Sequence, residues 1–105
     1  MEQFDKNPLS FDEILSERIK LWESIVNDSN IPEDVKNNFL DVIRERLAKK
    51  RLPGESISDW IYYSINMLLI VAENAKKKGL SENDIMPVFT NLRDDIWQFY
   101  KEINK

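Results

Sequence analysis

The sequence contains no cysteine and no histidine among its 105 residues, and it has only two glycines. Without cysteine and histidine the chain cannot form a disulfide scaffold, a Cys/His zinc site, a haem or iron–sulfur centre, or a Ser-His-Asp or Cys-His catalytic site. Two glycines are too few for a P-loop or a Rossmann dinucleotide fingerprint. We therefore expect no cofactor and no bound metal.

The sequence also lacks a hydrophobic run long enough to span a membrane. Its longest apolar run without charge, from Trp60 to Ala72, has 13 residues, whereas a spanning helix needs about 20. Residues 1–8 are polar and carry two acidic groups, unlike a secretory signal peptide. We expect a cytoplasmic protein with no membrane partner and no small-molecule substrate.

What remains is a composition typical of a helical domain, 42% hydrophobic and 32% charged, with a formal net charge of −4. Apolar residues recur at helical spacing, and no strand-like alternation competes with them. The predicted helices run from Ser10 into the turn-forming segment 27–30, from Pro32 to 49–51, from Ser56 to 76–78, and from about Ser81 almost to the C-terminus.

Local signals set these boundaries. Ser10 and Glu13, three residues apart, form a capping box at the start of the first helix. Ser56 and Asp59 have the same spacing at the start of the third helix. Gly79 is a typical C-terminal stop for the third helix. The fourth helix either kinks at Pro87 or starts again there.

The predicted links between helices are only about four to eight residues long, which favours antiparallel neighbours. The sequence therefore predicts an all-α fold, a small antiparallel bundle of four helices with the third helix central. We expect a flexible N-terminal segment over residues 1–9 and a single helical-bundle domain over 10–105.

The third helix is apolar over most of its circumference. Only Asp59, Asn66 and Glu73, seven residues apart, make a narrow polar stripe. A helix of this kind must be covered on several sides. Either it is the central core helix, or part of its surface binds a partner or a second copy of the chain. The interface candidates on this helix are Tyr62, Tyr63, Met67 and Ile70.

Three further side chains are unusual for their positions. Arg18 and Arg46 lie within apolar stripes, where an unpaired guanidinium is costly to bury. Each therefore needs a carboxylate, a carbonyl or a partner protein: the stems could cover apolar surface while the charge reaches water, or the arginines could be ion-pair anchors for a second chain. Trp97 lies outside the apolar stripe of the fourth helix, close to Arg93 and Lys101. It could pack at the edge of the core, stack with a cation, or form a binding platform.

The middle of the chain is locally basic, because residues 31–54 carry six basic and four acidic side chains. The macrodipole favours cations at helix C-termini, which accounts for much of this cluster. Contact with DNA or RNA is the alternative. A helix-turn-helix reader is excluded, because the helix after the turn lacks side chains that read bases. The nucleic-acid candidates are Arg44, Arg46, Lys49, Lys50 and Arg51.

Catalysis without histidine or cysteine would fall to carboxylates such as Asp94 and Asp95, which as helix neighbours are normally solvated. We predict no enzyme and no catalytic residues. The sequence favours a non-catalytic protein–protein interaction module, a small accessory, adaptor or regulatory subunit that could self-associate. One alternative is an accessory subunit of a nucleic-acid-processing complex that contacts DNA or RNA through residues 44–51. The other is a phage- or plasmid-type inhibitor or immunity protein.

Overall fold

The structure, a computed structural model, describes residues 11–49 and 53–103, which form a bundle of four helices. In chain order the elements are α1 (Phe11–Asn27), α2 (Glu33–Val42), a π-helical segment (Ile43–Leu47) that continues α2, α3 (Ile57–Lys77) and α4 (Glu82–Ile103). The all-α prediction is confirmed for the described residues. The predicted flexible segment 1–9 and the cap at Ser10 lie outside them.

The helices form an antiparallel ring. Each packs against its neighbours in sequence, and α4 closes the ring against α1. Lys76 at the end of α3 pairs with Glu82 at the start of α4, as antiparallel neighbours require. Over the described residues α3 lies between α2 and α4 and diagonally opposite α1. One long side of α3 therefore faces outward.

The caps of α3 are those that the sequence predicted. The Ser56 Oγ accepts a hydrogen bond from the Asp59 backbone N–H at 3.1 Å. At the other end Gly79 has a φ of 99°, a value that favours glycine. The Gly79 N–H donates a hydrogen bond to the Lys76 carbonyl, and the Leu80 N–H donates one to the Ala75 carbonyl. This pair of bonds is a Schellman motif, which ends the helix.

Pro87 lies inside α4, and the helix runs through it without interruption, so α4 does not start again there. Proline lacks the N–H that would bond the carbonyl of Asn83 one turn earlier. Asn83 and Pro87 are both exposed. Water can therefore satisfy that carbonyl, which explains why the proline is tolerated.

The core is built around an aromatic cluster. Phe99 of α4 meets Trp22 of α1 edge-on, with ring centroids 5.6 Å apart, and Trp60 of α3 at 6.5 Å. Phe11 packs against both Trp60 and Phe99. Side chains thus meet across the diagonal of the bundle, and the cluster holds three of the four largest fully buried side chains of the described residues, Trp22, Trp60 and Phe99, whose burial stabilises the fold. None of the helices in the two described ranges is both long and apolar enough to cross a bilayer.

The π-helical turn after α2 was not predicted, and it resolves the position of Arg46. Here the Ala48 N–H bonds the Ile43 carbonyl five residues back, at 2.8 Å, which adds one residue to the turn. Leu47 is thereby brought fully into the core. Arg46, which an α-helical wheel places at the centre of the apolar stripe, moves to the edge of that stripe, where its side chain is 16% exposed.

Candidate protein-binding surface

The outward side of α3 forms the candidate site, because neither α2 nor α4 covers it. Asp59, Asn66 and Glu73 lie exposed along it, as the seven-residue spacing predicted. Seven residues make about two helical turns, so the three polar groups form one row. We call this side, with the exposed apolar residues described next, the outer face of α3.

Large apolar side chains flank the polar row. Tyr62, Tyr63 and Ile70 are 58%, 55% and 52% exposed, and among the described residues Leu21 of α1 is the one other large hydrophobic residue that is exposed. Single exposed apolar residues are ordinary, whereas several on one helix face form a patch that makes the face a candidate for binding. The outer face of α3 is therefore the largest concentration of exposed apolar groups in the described chain.

Tyr62 is held in place from the α4 side. Its ring meets that of Trp97 edge-on at 5.2 Å, and Trp97 in turn meets Tyr100 edge-on at 5.7 Å. Trp97 is partly buried against the core. The guanidinium of Arg93 lies over Phe89 instead, 5.7 Å from the ring centroid. Trp97 thus packs at the edge of the core and supports an exposed tyrosine.

Tyr63 is held in place from the α2 side. The guanidinium of Arg46 lies 4.7 Å from the Tyr63 ring centroid, and its Nη2 donates to Glu55 Oε2 at 2.8 Å. The indole Nε1 of Trp60 donates to the Arg46 carbonyl at 2.8 Å, which fixes the backbone of the π turn. The Nε of Arg46 is buried and has no hydrogen-bond partner among the described residues. Both tyrosines are therefore presented by side chains that are themselves anchored.

Between the two tyrosines the outer face is concave. A shallow groove of about 540 Å³ is lined by Glu55, Asp59, Tyr62, Tyr63 and Asn66. Arg46 already contacts Glu55 and the Tyr63 ring, so a positively charged side chain entering the groove would meet the Asp59 carboxylate and the Tyr62 ring. Sequence reasoning missed the parts played by Glu55 and Tyr100, since neither belongs to the periodic pattern of α3.

The remaining interface candidates lie elsewhere. Met67 is partly buried against the core rather than exposed. Arg18 lies on α1, diagonally opposite α3, and its guanidinium binds two carboxylates of α4. Its Nε donates to Asp95 Oδ2 at 2.8 Å, and its Nη1 donates to Glu102 Oε1 at 2.7 Å. The structure thus supplies carboxylate partners for Arg18 within its own chain.

These contacts shift the titration of the groups involved. The hydrogen bonds that Arg18 donates to Glu102 and Asp95 raise the pKa of Arg18 above its ordinary value, against the opposing effect of burial. The hydrogen bond from Arg18 lowers the pKa of the exposed Glu102 carboxyl. The pair is therefore charged throughout the physiological pH range.

The described members of the basic cluster are paired with glutamates. Arg44 bonds Glu23 of α1 at 3.1 Å, and Lys49 bonds Glu45 at 2.6 Å. Arg46 bonds Glu55, as described above. Lys50 and Arg51 lie outside the described residues. Lys76–78 are at the other end of the bundle, because α2 and α3 are antiparallel.

Comparison with known proteins gives no relative: no protein-family model matches the chain, and neither a curated protein nor a solved structure matches it. The geometry of the chain is therefore the basis for its functional interpretation.

Proposed function

We propose that this chain is a non-catalytic, cytoplasmic protein-binding module, an accessory or regulatory subunit, and that the outer face of α3 is its docking surface. The observation that carries the proposal is the exposure of Tyr62, Tyr63 and Ile70, each by more than half, on one helix whose other sides are packed. Tyrosines are enriched at protein interfaces, because they bury a large area at a low cost in side-chain entropy.

The support beneath the tyrosines strengthens the proposal. Trp97 restrains Tyr62, and Arg46 restrains Tyr63. Side chains that are ordered before binding lose less entropy on association, so more of the contact energy remains as affinity. The glutamate pairs of Arg44, Arg46 and Lys49 favour protein binding over contact with a phosphate backbone.

The test is site-specific photo-crosslinking in the native host. A photoreactive amino acid at Ile70 or Tyr62 is expected to capture a defined protein, whereas the same group at Asn38, exposed on α2, is not. Cell fractionation of the same cultures tests the cytoplasmic location.

Capture alone does not suffice. The captured protein must bind the purified chain, and Ile70→Lys must weaken that binding about tenfold or more, as loss of a central interface contact does. Asn38→Lys, which adds the same charge elsewhere, must leave it unchanged. Equal weakening by both variants, or none by Ile70→Lys, would contradict the proposal.

A further inference from the structure

The outer face of α3 carries opposite charges near its two ends. Asp59 lies in the first turn and Lys77 in the last, and both are exposed. Within the described part of the chain neither side chain makes an ion pair. They are 18 residues apart, about five complete turns, so they lie on the same line along the helix and about 27 Å from each other.

This arrangement is complementary to itself. We infer that the partner at this surface is a second copy of the same chain, with its α3 antiparallel to the first. The two-fold axis passes through the outer face level with residue 68, halfway between Asp59 and Lys77. The inference rests on the function proposed above. In this alignment each Asp59 faces Lys77 of the other copy, so the dimer has two symmetric ion pairs.

The same axis sets the other pairs of the face. Asn66 faces Ile70 of the second copy, and the two Ile70 side chains are brought close to the axis, where contact is driest. Tyr63 faces Glu73, whose carboxylate lies 3.5 Å from Lys76 Nζ of its own chain and can also accept a hydrogen bond from the phenol O–H. A parallel alignment would instead place Asp59 on Asp59, Glu73 on Glu73 and Lys77 on Lys77, which like-charge repulsion disfavours.

The spacing of the exposed residues suits close helix packing. Tyr63, Asn66, Ile70 and Glu73 follow each other at intervals of three and four residues, the spacing of a coiled-coil seam. Helices packed through such a seam cross at about 20°, so the long side chains at both ends remain within reach of each other. Because one helix face from each copy forms the contact, we expect a weak dimer with an affinity on the order of micromolar.

Sedimentation equilibrium of the purified chain tests the two ion pairs by charge exchange. Asp59→Lys and Lys77→Asp are each expected to weaken dimerisation about tenfold or more, because each creates two like-charge contacts. The double variant carrying both substitutions restores opposite charges at both contacts and is expected to recover most of the affinity. Failure of the double variant to recover, with circular dichroism showing intact helices, would overturn the antiparallel pairing.

Chemical crosslinking tests the direction. The chain has no cysteine of its own, so an introduced one is unique. A mixture of Asp59→Cys and Lys77→Cys chains treated with a short bismaleimide is expected to give only the mixed dimer, since like positions lie about 27 Å apart along the antiparallel pair. Crosslinked dimers of two Asp59→Cys chains, or of two Lys77→Cys chains, would indicate a parallel pair. Asn38→Cys on α2 is the control and is expected not to crosslink.

The two proposals fail in different ways. If the wild-type chain stays monomeric at millimolar concentration while Ile70→Lys still disrupts a captured heterologous complex, the second copy is excluded and the docking surface stands. If a dimer forms that Ile70→Lys leaves intact, the second copy binds elsewhere and this inference is wrong, whereas the docking surface is wrong only if Ile70→Lys also leaves the captured heterologous complex intact.

Discussion

The indole Nε1 of Trp22 donates a hydrogen bond to Asp95 Oδ2 at 2.7 Å, joining α1 to α4 across 73 residues of sequence. The same oxygen accepts the Nε of Arg18 at 2.8 Å. Trp22 is fully buried, and the Asp95 side chain is 23% exposed. One carboxylate therefore satisfies a buried indole and an arginine that would otherwise be unpaired in an apolar stripe.

Asp95→Ala is expected to lower the free energy of unfolding by about 2–4 kcal/mol, since it leaves the Trp22 N–H buried without an acceptor and removes one carboxylate from Arg18. Urea denaturation measures the loss. Asp94→Ala is the matched control: Asp94 is 63% exposed and pairs only with its neighbour Arg93 among the described residues, so the change should stay within about 0.5 kcal/mol. Equal losses would contradict the role assigned to Asp95.

Acid should weaken the link between α1 and α4. Because Arg18 lowers the pKa of Glu102 in the folded chain, Glu102 stabilises the fold above its unfolded pKa. That contribution is lost as the pH falls from about 4.5 through the lower folded value. We expect Glu102→Gln to remove part of the decrease in urea midpoint between about pH 5.5 and pH 3.5. An unchanged pH profile would show that the pair contributes nothing.

The π turn should depend on Trp60. Trp60→Phe removes the donor to the Arg46 carbonyl and leaves a void beside it, and we expect a loss of about 2–4 kcal/mol in unfolding free energy. Trp97→Phe, the same change at a partly exposed position, should cost less than about half as much. Thermal and urea denaturation of both variants measures the difference. A larger loss for Trp97→Phe would contradict this account.

Truncation on the two sides of α3 should separate binding from folding. Leu68 is fully buried, and Leu68→Ala should lose about 2–5 kcal/mol, whereas Ile70→Ala at a position 52% exposed should lose less than about 1. Denaturant titration of the two variants is the measurement. If Ile70→Ala is as destabilising as Leu68→Ala, the outer face is part of the core and cannot be a docking surface.

Nucleic-acid binding is expected to be weak. With Arg44, Arg46 and Lys49 paired to glutamates, fluorescence anisotropy with short DNA and RNA duplexes should show no binding tighter than about 10⁻⁶ M at physiological salt. Affinity that falls steeply with salt and is lost when Lys49, Lys50 and Arg51 are neutralised would instead support an accessory subunit of a nucleic-acid-processing complex.

Features set by short-range chemistry could be predicted from the sequence. The Ser56 cap and the Gly79 stop are local hydrogen-bonding patterns, and both are present. The exposed apolar residues around the Asp59, Asn66 and Glu73 row also follow from helical geometry. These residues are exposed rather than buried because α3 has only two neighbouring helices among those described. The number of neighbours cannot be predicted from a local sequence pattern.

Contacts between distant residues could not be predicted in this way. The interpretation of Asp94 and Asp95 as solvated neighbours is right for Asp94 and wrong for Asp95, because the partners of Asp95 come from a helix more than 70 residues away. Arg46 was placed at the centre of an apolar stripe because an α-helical wheel assumes a constant pitch. The π turn changes that pitch, and the requirement to bury Leu47 and to satisfy the Trp60 indole favours it.

The Asp95 contacts also bear on the order of folding. During synthesis α1 leaves the ribosome first, yet Trp22 and Arg18 find their acceptors only when α4 has been made. Until then the face of α1 that carries Trp22 and Val26 lacks its contacts with α4, although Phe11 on the same face can already meet Trp60 of α3. We expect α2, α3 and the contacts between them to form early. The docking of α1 onto α4 should be late and slow, because it joins residues that are far apart in the sequence.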